Sequence, residues 1–240
     1  MQAYGLFPTT PLYISNTNRY HIPTMTAIVL LSGGQDSATC LAIAKQTHKT
    51  IHCVCFDYGQ RHRIEIEASR TLAENANTTF SCIDISFISK LSNSALVQPN
   101  TPITQQPNEL PSTFVPGRNA LFLTIGAMIA HQHNAHVIYT GVCETDYSGY
   151  PDCRSDFIAA QQKTLELAMK YNLTIETPLM HLTKAETVQL MAKLNCLDWY
   201  QHTHTCYEGK QPACGACPAC ILRKKGFNDA GFTDPIPYTN

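Results

Sequence analysis

Short apolar runs and longer amphipathic stretches alternate along most of this chain. The apolar runs are rich in β-branched residues and predict strands at 27–31, 51–56, 79–85, 137–141 and 173–176. The stretches between or after them predict helices at 37–48, 61–77, 118–133, 156–171 and 184–194. This alternation indicates an α/β fold with a mostly parallel, doubly wound sheet covered on both faces. Ligands of such sheets bind beyond the carboxyl ends of the strands.

Two segments fall outside this alternation. Residues 1–24 are rich in Thr, Asn, Tyr and Pro, and they lack the basic start and apolar core of a secretory signal. We expect them to be a dispensable extension, or translation to begin at Met25. Residues 86–113 carry four prolines and predict a long irregular insertion, which we expect to act as a partly mobile lid.

Composition and charge narrow the class of protein. The 240 residues include 44% hydrophobic side chains, enough for a sizeable core in one domain with a small appendage. Lys and Arg number 17 against 18 Asp and Glu, so no basic surplus favours a nucleic-acid partner. No apolar run approaches the ~20 residues that span a membrane. We therefore expect a cytoplasmic protein with neither a nucleic-acid nor a membrane partner.

The most informative motif lies between the first predicted strand and helix, at Ser32-Gly33-Gly34-Gln35-Asp36-Ser37. The glycines let the main chain approach a ligand, and the following helix N-terminus favours an anion such as phosphate. The alternative is an ordinary turn in which Asp36 or Ser37 caps the helix. The motif is neither GxxxxGK[ST] nor GxGxxG. It matches SGGxDS and resembles the PP-loop ATP pyrophosphatase superfamily, which implies activation of a substrate oxygen by adenylation.

The cysteines form a second pattern. Eleven are present in a chain without a signal sequence, which indicates reduced thiols and not a disulfide framework. Cys206, Cys214, Cys217 and Cys220 have the spacing Cx7CxxCxxC, and four thiolates suit a tetrahedral structural Zn²⁺. An iron–sulfur cluster is the alternative, although the usual downstream Cys-Pro is missing. His202 and His204 lie near Cys206 and could orient the metal ligands.

Three further motifs narrow the resemblance. They are FDYGQRHR at 56–63, FVPGRN at 114–119 and GVCETDYSGYPDCR at 141–154. Together with the glycine turn at 32–37 and the four spaced cysteines, these motifs closely resemble the 7-cyano-7-deazaguanine synthase family over about residues 25–230. The resemblance implies an adenine nucleotide alpha hydrolase-like domain at 25–195 and a small C-terminal zinc-binding tail at 196–240.

The family resemblance also implies an activity. A ligase of queuosine biosynthesis would convert 7-carboxy-7-deazaguanine and ammonia, at the expense of ATP, into the 7-cyano product through an activated carboxylate and an amide. The implied cofactors are ATP, Mg²⁺ and Zn²⁺, and relatives suggest a homodimer. The expected partners are therefore small molecules, with ammonia taken from solution because the chain has no recognisable glutaminase domain.

The nucleotide site can be placed on particular residues. Asp36 is the expected magnesium contact, and Arg118, Lys184 and Arg61 are the candidates to neutralise charge on the phosphoryl oxygens. The alternatives are a helix-capping carboxylate and plain surface charges. Asp57 contacts the nucleotide or caps a turn. The expected nucleotide-binding residues are Leu31, Ser32, Gly33, Gly34, Gln35, Asp36, Ser37, Ala38, Thr39, Cys40, Leu41, Asp57 and Arg61.

The loop at 141–154 is the expected pocket for the substrate's base. Its carboxylates can accept the amide and amino donors of a deazaguanine, its tyrosines can stack on the ring, and its arginine can pair with the substrate carboxylate. The alternative is an ordered surface loop with tyrosines packed beneath it. The expected substrate-binding residues are Glu144, Asp146, Tyr147, Tyr150, Asp152 and Arg154.

Two other function classes compete with the ligase. A tRNA sulfurtransferase would use Cys143 or Cys153 as a persulfide carrier and would need a basic RNA-binding face. A non-enzymatic, zinc-dependent nucleic-acid module would leave the glycine turn without a purpose and would need an excess of Lys and Arg. The balanced charge disfavours both classes.

Overall fold

A five-stranded, wholly parallel sheet forms the centre of the protein. The structure is a computed structural model and describes residues 26–104, 109–145 and 149–239. The strands are β1 (Thr26–Leu30), β2 (Thr50–Asp57), β3 (Thr79–Asp84), β4 (Val137–Tyr139) and β5 (Thr174–Glu176). The predicted α/β class and parallel sheet are confirmed. The predicted extension at 1–24 lies outside the described residues.

The strand order places the first strand at the middle of the sheet. The order is β3-β2-β1-β4-β5, and the register pairs Val29 of β1 with Cys53 on one side and Tyr139 on the other. The chain therefore winds from β1 to β3 in one direction and then crosses over to add β4 and β5. Such a reversal opens a crevice at the carboxyl ends of the two strands where it occurs, here β1 and β4.

In the described part of the chain, six α-helices cover the sheet. They are α1 (Gln35–Thr47), α2 (Ile64–Asn75), α3 (Arg118–Gln132), α4 (Ser155–Met169), α5 (Lys184–Lys193) and α6 (Pro218–Ala230). Helix α2 begins at Ile64 and not at the predicted Arg61. A basic run is unfavourable at the positive end of a helix, whereas Glu65 and Glu67 favour the first turn observed here. Helix α6 was not predicted from the sequence.

Each face of the sheet has its own hydrophobic core. Ile28 and Leu30 of β1 point to one face and are buried with Leu123 of α3. The alternate residues Ala27 and Val29 point to the other face, as the two-residue period of a strand requires. Because both faces are covered, the strands consist of near-continuous apolar runs, the pattern that revealed them in the sequence.

The C-terminal residues share a core with the sheet. Tyr200 and Phe227, both from the predicted tail, are buried in the same cluster as Val29. The buried Arg223 guanidinium donates to both carboxylate oxygens of Asp234, at 2.8 and 2.9 Å. The tail is thereby anchored on the α/β layers through apolar packing and a bidentate ion pair.

The described residues of the irregular segment before α3 pack onto the rest of the domain. It contains a 3-10 helix at Ser86–Lys90, and Ala95, Leu96 and Val97 are buried. The Arg61 guanidinium donates to the carbonyl oxygens of Ala95 and Pro99, at 3.3 and 2.9 Å. Among the helices of the described residues, none is both long and apolar enough to cross a membrane.

Candidate active site

A cavity of about 300 Å³ opens at the carboxyl ends of β1, β2 and β4. It receives the glycine turn after β1, the last residues of β2 and the segment that follows β4. Helices α3 and α5 contribute Arg118 and Lys184, and the C-terminal segment contributes His204 and Tyr207. The reversal in strand order and the predicted motifs thus meet in one place.

The glycine turn has the backbone geometry that the sequence predicted. Gly33 has φ +81°, and a Cβ added there would lie 2.3 Å from the carbonyl oxygen of Glu65, so only glycine fits. The Ser32 amide and hydroxyl both donate to Oγ of Ser37, at 3.2 and 3.1 Å. Ser37 Oγ in turn donates to the carbonyl oxygen of Gly34 at 3.0 Å. The turn is therefore a closed loop held by its own hydroxyl groups.

The N-terminus of α1 faces the cavity without a side-chain cap. Gly34 occupies the N-cap position and makes no side-chain hydrogen bond to the first turn. Gly141, after β4, approaches this turn so closely that an added Cβ would lie 3.0 Å from Asp36 and 3.1 Å from the Ser37 amide nitrogen. Uncapped amide donors and the positive end of the helix dipole suit an anion, so the turn fits a phosphate group.

Asp36 and Lys184 form an ion pair at the edge of the cavity. Lys184 Nζ donates to both carboxylate oxygens of Asp36, at 2.7 and 2.6 Å. Lys184 is the first residue of α5, whose N-terminus is fixed by a capping box between Thr183 and Glu186. Gly226 of α6 lets α5 pack closely, because a Cβ there would lie 2.6 Å from Cβ of Lys184.

Arg118 supplies a second cation to the cavity. Its guanidinium lies over the rings of Tyr58 and Phe122, at 5.6 and 5.9 Å from their centroids. Its Nε is buried without a hydrogen-bond partner among the described residues. Burial opposes ionisation, but the neighbouring Tyr58, Tyr150 and Asp152 outweigh it and raise the pKa of Arg118, which stays charged. A half-buried cation with an unpartnered Nε donor fits an anionic ligand.

Glu65 was not singled out by the sequence reasoning. It lies in the first turn of α2, two residues beyond the FDYGQRHR motif, and lines the cavity. Burial raises the pKa of its carboxyl to about 7, although the Arg118 guanidinium lowers it. The signal in the sequence was weak, because an acidic residue in the first helical turn is common without a functional role.

Most of the expected nucleotide-binding residues line the cavity or lie directly behind it. Leu31, Ser32, Gly34, Gln35, Asp36 and Ser37 line it, while Gly33, Ala38, Thr39, Cys40 and Leu41 are buried beside it. Two others face elsewhere. Asp57 pairs with Arg63 at 2.5 Å and accepts from the Gly59 amide, and Arg61 donates to the carbonyl oxygens of Ala95 and Pro99.

Only some of the described residues of the expected substrate-binding loop line the cavity. Tyr150 lines the cavity, and its hydroxyl lies 2.6 Å from that of Thr113. Glu144 accepts from the Ser155 amide at the start of α4, and Asp152 accepts from the Asn119 amide at 3.2 Å. Arg154 is exposed at the N-cap of α4. Asp146 and Tyr147 lie outside the described residues.

The four predicted metal ligands converge. The sulfur atoms of Cys206, Cys214, Cys217 and Cys220 all lie within 4.8 Å of one another. Tetrahedral zinc with Zn–S bonds of about 2.3 Å would hold its sulfurs roughly 3.8 Å apart, so the donor set fits this ion. Backbone amides of Cys214 and Cys217 donate to ligand sulfurs at 3.4 and 3.2 Å.

His204 connects the cysteine cluster to the glycine turn, and the His62 ring packs beside that of His204. The His204 amide donates to the Gly33 carbonyl at 2.8 Å, and its Nε2 donates to the Cys206 carbonyl at 3.2 Å. His62 donates to the Tyr207 carbonyl at 3.2 Å and packs against Gly209, where no Cβ would fit. His204 therefore contacts the backbone of a predicted ligand, and the fold of the cluster positions one side of the cavity.

The parallel sheet and the uncapped helix N-terminus at its carboxyl edge define an α/β protein suited to a phosphate-bearing ligand. Within that class the assignment is specific. The chain belongs to the QueC family, because the model of the family described as queuosine biosynthesis protein QueC matches residues 26–231. The match includes the glycine turn, the cavity and all four clustered cysteines.

The chain is also similar to solved structures at low identity. The chain is similar to a predicted subunit of tRNA methyltransferase from Methanocaldococcus jannaschii, with 18% identity over 70% of this chain and 75% of that one, at a TM-score of 0.47. It is also similar to the NH3-dependent NAD synthetase of Campylobacter jejuni, with 16% identity over 74% of this chain and 69% of that one, at a TM-score of 0.45. A third is the U34-tRNA thiolase NcsA of Methanococcus maripaludis, solved with its [4Fe-4S] cluster, with 14% identity, coverage of 84% and 64%, and a TM-score of 0.45.

Proposed function

We propose that this enzyme converts 7-carboxy-7-deazaguanine, ammonia and ATP into 7-cyano-7-deazaguanine. The observation that carries the proposal is one cavity lined by the uncapped glycine turn, the Asp36–Lys184 pair and the Arg118 guanidinium. Membership of a queuosine biosynthesis family supports the purine-like substrate. A carboxylate is a poor electrophile, so its oxygen must be activated before ammonia can displace it.

The chain's own residues have distinct roles in the first activation. The glycine turn and the N-terminus of α1 bind the phosphates, and Lys184 and Arg118 stabilise the negative charge that develops as pyrophosphate leaves. Asp36 orients Lys184 and is the proposed contact for a hydrated Mg²⁺ on the phosphates. Ammonia then attacks the acyl carbon, the electron pair of the broken C–O bond goes to AMP, and the nitrogen loses a proton.

The second activation acts on the amide in the same place. Its oxygen is adenylated, the nitrogen loses its remaining protons, and departure of AMP leaves the carbon–nitrogen triple bond. We call the glycine turn and the N-terminus of α1 the phosphate cradle. This cradle serves both rounds of activation only if the amide stays in the cavity. The aromatic lining of Tyr58, Phe122 and Tyr150 provides flat apolar surface that would retain it.

We further propose that the cysteine cluster holds a structural zinc ion. The mutual sulfur distances, within 4.8 Å, suit a single ion. A four-iron cluster would hold its thiolates around a larger object, with the sulfurs farther apart. Zinc bound here would fold the C-terminal segment and, through His204 and Gly33, support the glycine turn.

The Cys153 thiol does not suit a sulfur carrier. Burial raises the pKa of Cys153 to about 12, and its thiol lies close to Asn119 Nδ2. A protonated thiol is a poor nucleophile and a poor persulfide carrier. We therefore assign Cys153 to the lining of the cavity.

The test is a mass-spectrometric assay with ATP, magnesium, ammonium and 7-carboxy-7-deazaguanine. We expect the nitrile product and, at limiting ATP, the amide. Omission of ammonium should leave an activated substrate without either product. If the purified protein forms no adenylate, amide or nitrile, the proposed reaction is wrong. Metal analysis of the same sample should show about one zinc per chain and no iron.

A further inference from the structure

We propose that Glu65 recognises the base edge of the substrate, its carboxylate accepting the ring amide N–H and the exocyclic amine together. This inference rests on the proposed function, because that function supplies a guanine-like base. It assigns specificity for the base to α2, whereas the sequence placed it on the 141–154 loop. Two parallel donors facing two carboxylate oxygens form a bidentate hydrogen-bonded pair.

The position of Glu65 is fixed by the glycine turn. Its carbonyl oxygen lies where a side chain on Gly33 would be, so α2 begins directly against the phosphate cradle. Its side chain lines the cavity, and the end of β2 and α3 line the same space. A ligand whose reacting carboxylate sits by the cradle would therefore have Glu65 within reach of another edge.

Elimination among the carboxylates points to the same residue. Within the described residues, two carboxylates line the cavity, those of Asp36 and Glu65. Asp36 is engaged by Lys184 through both oxygens. The Glu65 carboxylate accepts no hydrogen bond from a described residue and lies beyond ion-pair distance of Arg118. It is thus an acceptor in the lining of a ligand-sized cavity, with its hydrogen-bonding capacity open.

The surroundings of Glu65 suit a flat, neutral base. The titratable groups near it are Cys55 at the end of β2, Tyr58 after β2, Arg118 on α3 and Tyr207 in the C-terminal segment. Arg118 favours the ionised carboxylate, and the tyrosine rings offer stacking surface. Two donated hydrogen bonds would further favour ionisation and lower the pKa of Glu65 from its raised value.

The experiment compares two ligands that differ by one donor. One is 7-carboxy-7-deazaguanine, and the other is the same molecule without the exocyclic amine. Each is titrated by calorimetry without ATP and then assayed for kcat/KM with ATP and ammonium. A site built to hydrogen-bond a donor rejects a ligand that lacks it, and we expect the wild type to prefer the amine by roughly 100-fold.

Three variants locate the recognition. Glu65→Gln should reduce the preference to about tenfold or less, because it should weaken binding of the full substrate more than binding of the analogue, which offers Glu65 only the ring amide N–H. Glu65→Asp should retain part of the preference. The matched control is Glu67→Gln, two residues further along α2, whose side chain is 72% exposed and pairs only loosely with Arg70. We expect its preference to equal that of the wild type. Circular dichroism verifies that each variant is folded.

The outcomes separate the two proposals. If the wild type binds the base with the stated preference but makes no product, the proposed reaction fails and the role of Glu65 stands. If Glu65→Gln keeps the full preference, the role of Glu65 is refuted and the reaction is unaffected. An equal loss of kcat on both ligands with unchanged binding would make Glu65 a proton acceptor and overturn the inference. A wild type that binds neither ligand overturns both.

Discussion

Lys184 donates to both carboxylate oxygens of Asp36 across 148 residues of sequence, at 2.7 and 2.6 Å. The lysine side chain is 10% exposed and the aspartate 28%, so the pair is only partly screened by water. It joins the first turn of α1 to the first turn of α5, and it brings a cation to a phosphate cradle whose sequence contains no lysine.

Removal of this cation should lower turnover far more than stability. We expect Lys184→Met to reduce kcat by about 100- to 1,000-fold, the usual effect of one lost donor to developing charge. Unfolding free energy should fall by only about 1–3 kcal/mol, because Asp36 can still reach water. The measurement is steady-state turnover together with urea unfolding.

The matched control for this variant is Lys225→Met. Lys225 forms an i,i+4 pair with Asp229 on α6 and is 68% exposed. We expect unchanged turnover and a stability change within about 0.5 kcal/mol. A loss of turnover in both variants, or in neither, would contradict the assignment of Lys184 to the phosphate site.

Substitution of two glycines with nearly equal φ tests the close contact between Gly33 and the carbonyl oxygen of Glu65. Gly33 has φ +81° and an added Cβ would lie 2.3 Å from the Glu65 carbonyl oxygen, whereas Gly231 has φ +78° with nothing within 4 Å. Gly231→Ala should cost about 1–2 kcal/mol for the left-handed backbone alone. Gly33→Ala adds overpacking against backbone and should cost roughly 2–5 kcal/mol.

The two variants also separate strain from function. We expect Gly33→Ala to lose ATP binding, measured by calorimetry, because the cradle must shift to admit the methyl group. Gly231→Ala should bind ATP like the wild type once corrected for the unfolded fraction. Equal destabilisation of the two variants would mean that the contact with Glu65 relaxes freely, and the rigid cradle would be wrong.

Local features of this fold could be predicted from the sequence. The strands are β-branched runs buried on both faces, and the glycine turn and cysteine spacing bring their own residues together over short distances. Helix α6 was missed because Pro218 begins it and Gly226 lies within it, and both residues usually mark turns. Gly226 is explained only by the approach of Lys184 on another helix.

Relationships across the chain could not be predicted in the same way. Asp36 and Lys184 were each expected at the site, but their pairing depends on how α5 packs beside α1. Glu65 was overlooked because its burial beside Arg118 exists only in the tertiary structure. The acidic residues of the 141–154 loop that are described serve local contacts instead, at the amides of Ser155 and Asn119.

The cysteine cluster predicts a link between metal content and stability. Cys217→Ser should lower the zinc content, measured by plasma mass spectrometry, and destabilise the protein by at least ~4 kcal/mol. For a chain of this size that corresponds to a fall in melting temperature of roughly 10 °C. Cys82→Ser, outside the cluster, is the control and should retain the full metal content. A Cys217→Ser protein that keeps its metal would show that the four cysteines do not form the site.

Glu65 predicts a pH dependence of stability in the free protein. Burial raises its pKa from 4.5 to about 7, so between these values the folded state holds a proton that the unfolded chain has released. The stabilising contribution is therefore complete below about pH 4.5 and is lost as the pH rises through about 7. Between pH 5 and pH 8, we expect the free energy of unfolding of the wild type, measured in urea, to fall relative to that of Glu65→Gln. A saturating base ligand should abolish this difference in the pH dependence of stability, because its donors stabilise the ionised carboxylate. Parallel stability curves for the two free proteins would show that Glu65 is ionised without a ligand, and that its environment is more polar than the structure indicates.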